Sequence, residues 1–130
     1  MTTDTTAAIR PVLGFDAMTC LGSGALMTLA AAPLAALTGL PEPLLFGAGL
    51  ALLPIAALFF VMSRMQPVAQ PLLWLAVLGN LGWVVASVGV AAIVPANALG
   101  VAFVLAQAAV VAVLAILEAR GLALRGPLAA

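Results

Sequence analysis

Three polar side chains stand at helical spacing inside an otherwise apolar run: Asn80, Trp83 and Ser87. Residues three and four apart share one face of a helix. Gln107 interrupts a second apolar run in the same way. Lipid offers no hydrogen bonds, so an amide, an indole N–H and a hydroxyl in such runs must face protein. Two kinds of chemistry are open to them. They can hold neighbouring helices together, at roughly 0.6–2 kcal/mol per bond, or they can present a polar contact to a ligand or partner within a bundle. Asn80 and Gln107 each lie about ten residues into their runs, which at ~1.5 Å per residue is near mid-membrane. An Asn80–Gln107 hydrogen bond is therefore expected.

Four charged residues suggest a different role. Asp16 and Glu118 sit near the ends of apolar runs, with Arg64 and Arg120 at the same side. The expectation is a rim of ion pairs and snorkelling side chains, each contributing little. The alternative is a proton- or cation-coupled site using Asp16. Small four-span multidrug transporters resemble this chain in size and scarcity of charge. They carry a carboxylate deep in the first span and an aromatic-lined chamber, whereas Asp16 reads as shallow and the aromatic content is 5% with no tyrosine.

Cys20, one turn after Asp16, is the only cysteine, and there is no histidine. A buried apolar thiol is inert. Nucleophilic catalysis would lack a base, and zinc sites or haem ligation built on histidine are excluded. No metal or cofactor is expected, the methionines read as packing residues, and no catalytic constellation is visible. The chain reads as a non-enzyme.

The elements that position these residues follow from composition. Of 130 residues 66% are hydrophobic and 6% charged, against about 45–50% and about 25% in soluble domains. A chain this short cannot hide so much apolar surface in a core of its own, so its partner is the lipid bilayer. With four arginines, four acids and no net charge, it lacks the basic footprint that nucleic acid requires.

An all-α fold is expected: one polytopic domain over 12–121, four transmembrane helices in an antiparallel bundle. The spans are read at about 12–40, 43–63, 71–94 and 98–120, with tails at 1–11 and 122–130. The opening segment has mixed charge, and Asp16 interrupts the run that follows, so a cleaved leader is not expected. Pro33 should kink the first span or end it early by removing the bond to the Leu29 carbonyl. Pro54 should kink the second. Asn97 is a fitting N-cap and Gly121 a fitting residue just past a helix end.

Four spans place Arg10, Arg64, Arg120 and Arg125 on one side, opposite Glu42. The positive-inside rule then puts both termini in the cytoplasm, and a bacterial inner (cytoplasmic) membrane is the expected location. Trp74 reads as an interfacial anchor. Beside the polar face of the third span runs a stripe of small residues, Gly79, Gly82, Ala86 and Gly89, where another backbone can approach closely.

The run Gly79 to Ser87, Leu99-Gly100, Gln107-Ala108 and Leu117 to Leu122 resembles a group of small uncharacterised bacterial four-span integral membrane proteins. The resemblance is fullest in the second half of the chain. It implies the four-span fold and marks Asn80, Trp83, Ser87, Gln107 and Glu118 as the positions to test, without assigning them an activity.

Two functions lead, ahead of a third, a membrane enzyme subunit that would need another chain to supply the chemistry. One is an accessory or scaffolding subunit that packs through its Gly/Ala-rich faces, as a homo-oligomer or within a larger membrane complex. The other is a small transporter or binder of lipid-soluble ligands. In that case Asn80, Trp83 and Gln107 would line an intramembrane cavity, with Pro33 and Pro54 as hinges.

Overall fold

The computed structural model describes residues 7–125, with side chains as far as residue 123. Residues 1–6 and 126–130 of the expected tails, and the Arg125 side chain, lie outside the described residues. Those that are described form five helices and no strand: α1 Arg10–Leu29, α2 Ala31–Thr38, α3 Glu42–Ser63, α4 Gln70–Ile93 and α5 Ala98–Arg125. All but α2 contain a stretch long and apolar enough to cross a membrane. They measure 20 to 28 residues, against the ~20 that a bilayer core demands. Phe15, Leu29, Leu78, Val85, Ile93 and Ile116 are among the large apolar side chains left on the outside, the pattern of a membrane protein rather than a water-soluble one.

The first expected span, 12–40, is two helices. The break falls at Ala30 (φ −117°, ψ 29°) rather than at Pro33. Proline has no N–H to donate to the carbonyl four residues back, and its ring crowds that carbonyl. With the break at Ala30, Pro33 occupies the first turn of α2, where no N–H is required. Gly39 ends α2 at φ 72°, a conformation glycine adopts without strain. Pro54 lies within α3 and leaves it a single helix.

Asn97 caps α5: the Gly100 N–H donates to its Oδ1 at 2.9 Å. Gly121 does not end that helix, which continues to Arg125. It is instead a point of close packing, where an added Cβ would come within 2.5 Å of Ile9 Cδ1.

The helices pack as two pairs, α1 against α3 and α4 against α5. The first seam is tight. A Cβ on Gly49 would lie 2.9 Å from both the Cβ of Met27 and the backbone nitrogen of Thr28, and one on Gly24 would lie 3.0 Å from the Gly49 carbonyl. Small residues thus let two backbones approach.

The pairs are fastened to each other at one end by α2 and the start of α5. There the Asn97 N–H donates to the Thr38 carbonyl at 3.1 Å, its side-chain amide donates to the Leu37 carbonyl at 2.8 Å, and Gly100 sits directly on the Thr38 carbonyl. Toward the other end Ile9, Leu13, Val68 and Leu73 form a fully apolar plug.

Candidate functional site: a buried carboxyl pair beside a cavity

Between the plug and the rest of the interior lies a polar cluster that the spacing of charges did not lead one to expect. Asp16 is 1% exposed, Glu118 0% and Asn80 6%. The Asn80 side-chain nitrogen donates to Asp16 Oδ2 at 2.8 Å and to Glu118 Oε1 at 2.8 Å. Its two hydrogens are therefore committed to two carboxyl groups from two other helices. The expected Asn80–Gln107 bond is not made.

The expected rim also does not form. Arg64 lies over the Phe60 ring, 5.2 Å from its centroid, and Arg120 is exposed. Glu118 and Arg120 are two residues apart, so a helix turns them to different sides.

Each helix presents its member of the cluster on a buried stripe. Asp16 follows Leu13 and precedes Cys20 and Gly24 on α1. Asn80 continues Leu73, Ala76 and Val77 on α4. Glu118 follows Leu114 and Ala115 and precedes Gly121 on α5. These spacings of three and four make each polar residue part of an inward face. Asp16 and Glu118 look like rim residues only while the helix ends are drawn close to them. α1 begins at Arg10 and α5 runs to Arg125, so each carboxyl lies about two turns inside its helix.

Cys20 joins the cluster, its Sγ donating to Asp16 Oδ1 at 3.6 Å. The thiol expected to be a bystander is thus a hydrogen-bond partner of the carboxyl. Both Asp16 oxygens have partners, whereas Glu118 Oε2 is buried with none. A buried polar atom without a partner costs about 1–3 kcal/mol, more if charged, and is a place where a ligand or ion can be accommodated.

Asn80 and Cys20 face a cavity of about 740 Å³ between the two helix pairs, within the ~300–1,000 Å³ usual for small-molecule sites. Its walls come from Leu26, Leu52, Phe59, Leu75, Phe103 and Val110 among others, and its polar groups from Thr19, Cys20, Ser23, Asn80, Trp83 and Gln107. A second hollow of about 150 Å³ lies toward α2, and Trp83, Phe103 and Gln107 border both.

Trp83 Nε1 is buried without a hydrogen-bond partner. Ser87 is buried and donates to the Trp83 carbonyl of its own helix at 2.7 Å. The small-residue stripe is not a seam between helices of this chain. An added Cβ at Gly79, Gly82 or Gly89 would meet nothing within 4 Å, and Ala86 is exposed. Gly79 borders the cavity.

Among the described residues no group of three or more acidic, cysteine or histidine side chains could hold a metal ion. Comparison with family models, with curated proteins and with solved structures gives no match.

Proposed function

We propose that this chain is a non-enzymatic integral membrane protein that binds a neutral, lipid-soluble molecule between its two helix pairs, as a small carrier or transporter does. The observation that carries this reading is the 740 Å³ cavity, apolar in its walls and polar where Asn80, Cys20, Trp83 and Gln107 border it. Such a space suits a hydrophobic body with one hydrogen-bond acceptor. An acceptor oxygen meeting the Trp83 N–H would satisfy a donor now buried without a partner. In this reading the helices form an antiparallel bundle in a bacterial inner membrane with both termini cytoplasmic, an orientation supported by the placement of the arginines.

The test uses the protein's own fluorescence. Trp74 and Trp83 are its only tryptophans, so Trp74→Phe leaves Trp83 as sole reporter. A brominated long-chain alcohol added to this variant in lipid nanodiscs should quench Trp83 saturably. Gly79→Leu, which meets open space at its Cβ, should intrude on the cavity and weaken the saturable component while leaving the helix intact. Quenching that never saturates, and is the same in both chains, would mean ordinary lipid contact and would end this reading.

A second reading, an accessory subunit that assembles with copies of itself or with a larger complex, is favoured by one observation. At Gly82 and Gly89 of α4 an added Cβ would meet nothing in this chain within 4 Å.

A further inference from the structure

We infer that Asp16 and Glu118 form a proton-binding site, and that its proton is linked to occupancy of the cavity. The linkage, though not the proton site itself, rests on the ligand-binding reading. Geometry carries the argument. Two carboxyl groups reach one amide nitrogen, so their accepting oxygens are separated by less than two hydrogen-bond lengths. Both residues are at most 1% exposed. Two like charges so placed, away from water, cannot both persist cheaply, and such carboxyl pairs share a proton.

The atom still open is Glu118 Oε2, buried with no donor to it. The step is simple addition: a proton from bulk water joins the pair at that oxygen, the pair passes from two negative charges to one, and release reverses it.

The charged and titratable groups on the elements around the pair are few. α1 brings Asp16 itself, Cys20 on Asp16 Oδ1, and Arg10 at its start. α4 brings only Asn80, which does not titrate. α5 brings Glu118 and the exposed Arg120. α3 brings Arg64 at its end, lying over Phe60.

The same two residues that hold Asp16, namely Asn80 and Cys20, border the cavity. A ligand acceptor that draws an Asn80 hydrogen toward itself removes a donor from the carboxyl pair. A pair that has lost a donor holds its proton more firmly. By reciprocity, protonation of the pair frees Asn80 for the ligand. The ligand and the proton therefore bind together, which is the coupling a proton-driven carrier requires.

The test is infrared spectroscopy of the full chain in phosphatidylcholine nanodiscs near neutral pH. A C=O stretch of a protonated carboxyl group should be present, and should shift or vanish in both Asp16→Asn and Glu118→Gln. A band untouched by either substitution overturns the site, as does loss of the wild-type band when sodium replaces choline at fixed pH, which would make it a metal-cation site. Should a substituted chain fail to fold, the wild type decides alone. Its band must disappear reversibly as pH is raised while the helices persist, and absence of the band at neutral pH in a helical chain overturns the proposal.

The linkage has its own readout. Across the same pH range, half-quenching of the Trp74→Phe chain by the brominated alcohol should move at least threefold, and should not move when Glu118→Gln is added. A carboxyl band that behaves as expected beside quenching that never saturates would sink the cavity reading and leave the proton site standing.

Discussion

The seam between α1 and α3 and the space between the two helix pairs are built from the same alphabet of small and apolar residues, with opposite results. At the first, Gly24 and Gly49 bring backbones together so closely that a single added carbon at Gly49 would press on the Thr28 nitrogen. At the second, Gly79 leaves its space empty, and the two pairs leave between them a half-open cleft of about 740 Å³ beside a polar cluster. Without water to drive association, membrane helices adhere through packing and hydrogen bonds. The first seam uses packing. The second is bridged by hydrogen bonds, Asn97 to Thr38 and Leu37 at one end and Asn80 to Asp16 toward the other. The ligand-binding reading needs this contrast: one seam closed to hold the fold, the other open to admit a molecule.

The comparison breaks most severely if the tight seam is loosened. Gly49→Leu must push apart Met27 and Thr28, which an added Cβ would approach to 2.9 Å. Backbone cannot yield as a side-chain tip does. The cost should reach or exceed the ~3 kcal/mol upper end usual for overpacking, read as a lower midpoint of unfolding in mixed micelles. A wild-type midpoint would mean that this seam is not what holds the pair together.

The polar end of the hollow seam answers differently. Asn80→Leu removes the donor from both carboxyl groups at once and should cost about 1–3 kcal/mol. Replacing all three, Asp16→Leu with Asn80→Leu and Glu118→Leu, should recover that loss and could exceed the wild type, because a fully apolar substitute carries no desolvation cost. Unfolding midpoints for the single and triple variants decide this. A triple variant less stable than Asn80→Leu would show the cluster to be structural, and would remove the reason to assign it a function.

Which parts of this were legible in the sequence depended on the range of the forces involved. Four apolar helices follow from composition and local pattern. The Asn97 cap and the helix-ending effect of Pro33 are likewise local. The site was legible only in its members. Asn80 stands out as an amide in lipid, but depth and topology point it to Gln107. The helical period held a better signal: Asp16 with Leu13, Ala17, Cys20 and Gly24, and Glu118 with Leu114 and Gly121, are stripes that face inward. Proximity to arginines and to apparent helix ends outweighed that signal. The cavity was beyond reach, since an absence of packing arises from the meeting of four helices and leaves no mark on any one of them.

The smallest effect on stability is expected on the outer face of α4, and it separates the two functional readings. An added Cβ at Gly82 would meet nothing within 4 Å, and in a helix interior leucine is favoured over glycine by close to 1 kcal/mol. The unfolding midpoint should therefore hold or rise slightly. If this face is where copies of the chain or a larger complex dock, a bulky side chain there must still disrupt assembly, because glycine stripes work by letting backbones meet. Size in mild detergent, measured by light scattering, and recovery of partners from native lipid should then fall while the cavity-dependent quenching of Trp83 persists. Unchanged size and recovery would remove the accessory-subunit reading and leave the Gly82–Gly89 face covered by lipid alone. The working surface of the protein would then lie wholly on the inner side of α4, where Asn80 and Trp83 stand.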